Sequence, residues 1–137
     1  MNRLEFCNMM ADAKKNSDKT TSEITFAMKM LLPTLRRFEK GEHNFSMKKV
    51  FEYLLIIQHK MVFVSEINTN TCVTYENLIL WIKDQREQQY SQRKLAEIIG
   101  VSHITIANIE RQSSSLTIDM FLKMIEVFGY QLKIEKL

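Results

Sequence analysis

The stretch Ser91-Gln-Arg-Lys-Leu-Ala-Glu-Ile-Ile-Gly-Val-Ser-His-Ile-Thr-Ile-Ala-Asn-Ile-Glu-Arg111 decides the fold. Ser91 is a residue type whose hydroxyl accepts a first-turn N–H, so it starts a helix that runs to about Ile99. Gly100 suits the left-handed position that ends such a helix. Ser102 caps a second helix, ending near Arg111, in which Ile106 and Ile109 face inward. Ala96 is small where the two helices must cross, and Val101, Ile106 and Ile109 lock one on the other. Two short capped helices with a glycine turn between them form a helix-turn-helix layout.

Outward from this stretch the pattern continues. Tyr75 to about Gln88 reads as a helix with Leu78, Trp81 and Ile82 on one face. Gln112 to Ser115 is a polar loop. Thr117 is placed to cap a further helix to Phe128, which Gly129 terminates. Tyr130 to Lys136 alternates Leu132 and Ile134 with Lys133 and Glu135, a half-exposed strand. The first half follows the same plan. Helices are expected from about Arg3 to Lys15, from Thr21, around Thr34 to Lys40 with Gly41 closing it, and from Ser46 to about Gln58. A strand comes next at Met61 to Ile67, then a turn at Asn68 to Asn70. Thr71 to Thr74 is either a short strand pairing back or plain linker.

Aligned on itself without gaps, the chain keeps its apolar columns at an offset of 71 residues. Cys7 meets Leu78, Met10 meets Trp81 and Ala11 meets Ile82. Ile24 meets Leu95, Leu35 meets Ile106 and Phe38 meets Ile109. Phe51 meets Leu122, Leu54 meets Ile125 and Phe63 meets Ile134. Along the alignment only Glu5/Glu76, Thr34/Thr105 and Glu39/Glu110 are identical, so a duplication rests on apolar register. The competing explanation is a helical period shared by accident. The expected organisation is a degenerate unit at 1–66, a turn or linker at 67–74 and the clearer unit at 75–137.

The motif resembles the helix-turn-helix of the Cro and phage-repressor (XRE) family. Ser91, Gln92, Leu95, Ala96, Gly100, Val101, Ser102, Thr105, Ile106, Ile109 and Glu110 carry the match, which extends through Leu116, Ile118 and Leu122. Two features depart from the family pattern. Gln112 stands where a glycine is usual, and a proline before the next helix is missing, so that loop is expected to differ in shape. The resemblance implies a mostly α fold: two tandem lambda-repressor-like helix-turn-helix units, each with a short β-strand, the strands paired in a small antiparallel sheet. It implies that the helix from Ser102 enters the major groove of double-stranded DNA. His103 and Asn108 would then face base edges, with Ile104 near a thymine methyl. Gln92, Arg93, Thr105 and Arg111 would contact phosphates, Gln92 with help from its helix N-terminus. Glu110 would pair with Arg86, and Lys15 with Glu39 would be the corresponding pair in the first half.

Members of this family usually dimerise, so the implied assembly is a monomeric pseudo-dimer with two antiparallel strands joined, or a homodimer. The first unit departs further from the pattern. Lys29 stands at the turn glycine, Leu31 at the cap serine and Leu32 at His103, with Pro33 tolerable only in a first helical turn. Arg36 and Arg37 could hold phosphates, or Leu31 and Leu32 could bind a protein partner.

Composition sets the remaining bounds. Hydrophobic residues make up 45% of the 137, enough for a core, and 3 Gly and 1 Pro argue against an all-β fold. Cys7 and Cys72 make no disulfide framework, and no Cys/His spacing suggests a metal. No leader-like or membrane-spanning apolar run is evident, and cytoplasmic placement is the default expectation. Residues 1–66 carry 11 Lys and Arg against 8 Asp and Glu, whereas 67–137 carry 8 of each. His43, His59 and His103 sit in separate elements with no nucleophile or phosphate-loop motif, so neither a catalytic residue nor a cofactor is expected. The sequence therefore points to a sequence-specific, double-stranded-DNA-binding transcription regulator. Two alternatives accompany it: an interaction module that has lost DNA binding, and an autoregulating antitoxin, since a strand after the last helix resembles HipB-type antitoxins.

Overall fold

A computed structural model describes residues 1–137. The first half runs α1 (Arg3–Lys15), α2 (Thr21–Met28), α3 (Leu32–Glu39), α4 (Met47–Ile56) and β1 (His59–Val64). A second strand, β2 (Thr69–Cys72), leads into α5 (Tyr75–Gln89), α6 (Gln92–Ile99), α7 (His103–Glu110), α8 (Ile118–Phe128) and β3 (Gln131–Lys136). The fold is mostly helical with one small antiparallel sheet in the order β2-β1-β3. No helix is long and apolar enough to cross a membrane.

β1 lies between the other two strands because its sequence, H-K-M-V-F-V, is apolar on both faces. His59, Met61, Val62 and Phe63 are all buried. The first strand begins earlier and ends earlier than the apolar pattern alone predicts. His59 and Lys60 pair with Lys136 and Glu135, while Ser65 closes the hairpin turn by accepting and donating around Asn68. The segment after that turn is a strand at Thr69–Cys72 rather than at Thr71–Thr74. Backbone pairing holds it, since only Cys72 of its side chains is buried.

Two antiparallel crossings join the halves. In the sheet Val62 faces Lys133, Met61 faces Ile134 and Phe63 faces Leu132. Away from it, Ser46 bridges Thr117: Met47 N donates to Leu116 O at 2.7 Å, and Ile118 N donates to Phe45 O at 2.9 Å. Both pairings are unchanged when each residue is exchanged for the one 71 positions away. Thr117 begins α8 without a side-chain cap, contrary to expectation. Its place is taken from the other half, where the Asn44 side-chain oxygen accepts from Asp119 N at 3.0 Å.

The left-handed backbone positions obey the same spacing. They fall into three pairs 71 residues apart: Lys29 with Gly100, Gly41 with Gln112, and Gln58 with Gly129. Gln112, at φ 59°, thus keeps the turn geometry of the glycine usual there. At Gly41 a side chain is excluded, because a Cβ would lie 2.9 Å from the Leu4 Cα. At Lys29 (φ 52°) the side chain is exposed and the residue merely disfavours its backbone conformation. Lys29→Gly should therefore stabilise the fold by about 0.5–1 kcal/mol, relief of left-handed strain outweighing the added unfolded-state entropy. A rise in the urea midpoint at constant m-value checks this.

The gapless register fails in the first helix. The buried face of α1 is Phe6, Cys7, Met10 and Ala13, with Lys14 at its edge, whereas that of α5 includes Leu78, Ile79, Ile82, Gln85 and Arg86. These correspond at an offset of 72. The connection from α1 to α2 (Asn16 to Thr20) is longer than that from α5 to α6 (Tyr90 and Ser91), so α1 is displaced along the chain relative to α2, and α5 relative to α6, by different amounts. In consequence Lys14, not Lys15, reaches Glu39, at 2.7 Å, while Lys15 pairs with Asp12 in solvent.

One core cluster serves both halves. Phe121 of α8 meets Phe6 of α1 and Phe63 of β1 at ring-centroid distances of 6.0 and 6.1 Å. Trp81 stacks on Phe63 at 4.1 Å with rings 10° apart. α1 packs on α8 as α5 packs on α4.

Candidate nucleic-acid interface

The site is built on α6, the turn at Gly100–Ser102, and α7. Ser91 Oγ accepts from Lys94 N at 3.0 Å and starts α6. Leu95, Ala96 and Ile99 then face inward. Gly100, at φ 80°, turns the chain, and both Gly100 N and Val101 N donate to Ala96 O at 2.9 Å. Ser102 Oγ accepts from Thr105 N at 3.2 Å and starts α7, which buries Ile106 and Ile109. α7 is thereby fixed across α6 with its N-terminal turn outward.

A buried ion pair locks the far end. Arg86 Nη2 donates to Glu110 Oε1 at 2.9 Å, and Arg86 Nε donates to the other carboxylate oxygen at 2.5 Å. Arg86 Nη1 donates to Tyr90 O at 3.1 Å. Gln92 Nε2 joins the same carboxylate at 3.1 Å. The Arg86 and Glu110 side chains are only 10% and 4% exposed, so each charge depends on the other for solvation. α5, α6 and α7 are tied at one point.

The candidate residues are distributed around this frame. His103 opens α7 and is half-buried, and Ile104 beside it is 58% exposed. Thr105 is half-buried with its hydroxyl 3.0 Å from that of Ser102. Asn108 is half-buried, and its side-chain oxygen accepts from exposed Arg111. Arg93 is exposed on α6. The N–H groups of Gln92 and Arg93 find no acceptor in the chain, as befits a helix start. His103, Ile104, Thr105, Asn108 and Arg111 thus share one short helix and its end, with Gln92 and Arg93 at the start of its partner. Arg36 and Arg37 are exposed on α3 in the other half.

The site contains no reactive thiol. Burial pushes the Cys7 thiol up to about 11 and the Cys72 thiol up to about 12, so both stay protonated at neutral pH. No three His, Cys, Asp or Glu side chains gather where a metal ion could sit.

Sequence reasoning overlooked Phe26, which is 88% exposed. The signal was present: Ile24 and Met28 mark the inward face of α2, and Phe26 lies between them on the outward one. It also overlooked Asn44, whose capping role depends on the crossing between halves.

Residues 82–134 match the family model described as helix-turn-helix. This second part of the chain is therefore similar to helix-turn-helix domains of the XRE type, a family of DNA-binding regulators. No curated protein and no solved structure matches the chain.

Proposed function

We propose that the protein is a sequence-specific, double-stranded-DNA-binding transcription regulator, and that its two halves form a pseudo-dimer within one chain. The observation that carries the DNA reading is the outward N-terminal turn of α7, held by the Arg86–Glu110 pair. His103 and Asn108 face base edges, and Ile104 packs on a thymine methyl. Gln92, Arg93, Thr105 and Arg111 bind phosphates, Gln92 and Arg93 through backbone as well as side chain. Asn108 needs both its oxygen and its nitrogen to bond an adenine, so Arg111 must leave that oxygen and move to the backbone. The two contacts are therefore coupled.

The pseudo-dimer reading is supported by the two symmetric crossings and by the three left-handed pairs. In it, one chain supplies one reading helix and one degenerate counterpart, so the preferred site is a single half-site rather than a palindrome.

Selection from random duplex DNA tests the function. The expected result is one enriched non-palindromic site, bound by one chain, with affinity that falls as salt rises. Asn108→Ala should lose about 1–3 kcal/mol on the selected site while leaving random DNA unchanged, and Gln92→Ala should weaken both equally. No enrichment and no binding at low salt would leave the chain an interaction module. A palindromic site bound by two chains would remove the pseudo-dimer.

A further inference from the structure

The first half presents a second face built on the same elements, α2, the turn at Lys29 and α3, with the opposite surface chemistry. Phe26 is 88% exposed, Leu31 76% and Leu32 39%. The residues 71 positions on are Glu97, Ser102 and His103, all polar. Phe26, Ala27, Met30 and Leu31, with Thr25 and Lys29, line a shallow groove of about 510 Å³. Leu31 occupies the N-cap of α3 and makes no capping hydrogen bond there. A leucine at that position costs about 1 kcal/mol relative to serine or aspartate, so local helix energetics do not account for it.

Cations stand in and beside the groove: Lys29 lines it, and Arg36 lines an adjoining hollow with Thr25 and Leu32, where the Glu39 carboxylate is already paired with Lys14. Lys29, Arg36 and Arg37 are exposed, and no carboxylate lies within ion-pair distance of any of them. An apolar centre with unpaired cations in and beside it has the anatomy of a recognition patch, with affinity from the centre and orientation from the charges.

We propose that this face docks a segment of another protein carrying an aromatic or large aliphatic anchor flanked by Asp or Glu. Charge complementarity selects that occupant. None of residues 1–137 covers the face. A second copy of the chain meeting it symmetrically would set Lys29, Arg36 and Arg37 against their own counterparts. Duplex DNA would satisfy the arginines but press Phe26 and Leu31 against phosphates and sugar edges, where their burial gains little. The inference is independent of how α7 reads DNA.

The test is a selection of short random peptides on the full chain. Enriched peptides should share Phe, Trp or Leu flanked by Asp or Glu. One such peptide, synthesised and labelled, should bind at least about tenfold more weakly to Phe26→Ser/Leu31→Ser, as truncated anchors do. It should also bind more weakly at high salt and to Arg36→Gln/Arg37→Gln. The altered side chains are exposed, so the thermal midpoint should not fall, and the serine placed at the N-cap of α3 should raise it slightly; selected-duplex affinity should not change. Enrichment without acidic residues, or peptide binding unchanged in Phe26→Ser/Leu31→Ser, overturns the proposal. So does loss of duplex affinity in Phe26→Ser/Leu31→Ser together with a reduced salt slope in Arg36→Gln/Arg37→Gln, which would give the face to DNA. Self-association abolished by Phe26→Ser/Leu31→Ser would give it to a second copy and overturn the proposal equally.

Discussion

Glu110→Ala is expected to lower the free energy of unfolding by about 3 kcal/mol, because it strips the buried Arg86 guanidinium of its two-pronged partner and leaves it only the exposed Glu87 carboxylate at 3.7 Å. Gln92 loses an acceptor in the same step, and the tie between α5, α6 and α7 is cut. The corresponding change in the first half should be milder. Glu39 is held by Lys14 at 2.7 Å and by the Tyr53 hydroxyl, also at 2.7 Å, and Lys14 is more exposed than Arg86. A lysine stem can lift its ammonium into water when its partner goes, which a guanidinium wedged against Tyr90 O cannot do as readily. Replacing both partners, Arg86→Met with Glu110→Leu, should recover most of the loss, since no charge is then left buried. Urea denaturation of the three variants measures this. A Glu110→Ala loss below about 1 kcal/mol would place the pair among ordinary surface salt bridges.

Phe121→Ala should cost about 3–5 kcal/mol, the usual range for removing a fully buried ring. Its ring touches Phe6 and Phe63, both from the first half, while its own helix belongs to the second. The loss should therefore appear in both halves at once. Hydrogen exchange of the α7 amides reports the second half and that of the α3 amides the first, while Trp81, stacked on Phe63, reports the junction between them. Coincident transitions with one lowered midpoint are expected. An unfolding transition confined to α5–α8, with α3 still protected, would mean that the halves fold separately despite the shared core.

Much of this architecture was legible in the sequence because local chemistry specified it. Ser91, Gly100 and Ser102 are each the residue type their backbone position favours, and the two helices of the motif begin and end where those residues place them. The strand pairing was legible for a different reason: a strand with M-V-F-V along it must be covered on both faces, and a second strand lay 71 residues on. What misled was the first helix. Cys7/Leu78 and Met10/Trp81 are plausible apolar columns at 71, and so are Phe6/Leu78 and Met10/Ile82 at 72. Identity of residue class could not tell them apart, since the difference lies in the length of the connection after the helix. The short strand at Thr69–Cys72 was only half visible, as its stability comes from main-chain bonds to β1 rather than from side chains. The candidate site residues came from family resemblance by position. The tie of Asn108 to Arg111, and of Gln92 to Glu110, needed three dimensions.

The three left-handed pairs have a consequence for how such a protein changes over time. In each pair one member is glycine and the other is lysine or glutamine, and the glycine is not always in the same half. A protein assembled from two identical chains cannot do this. Any substitution in its gene appears on both sides of the axis, so a strained turn is suffered twice and a lost surface is lost twice. With both halves in one chain, joined by the β1–β3 pairing and the Ser46–Thr117 bridge, each turn and each exposed helix face can drift alone. One half can keep the polar α7 face while the other turns apolar at Phe26 and Leu31, without either change being imposed on its counterpart. Nor can dilution part the two, because a tether holds the local concentration of each about the other fixed however few molecules the solution contains.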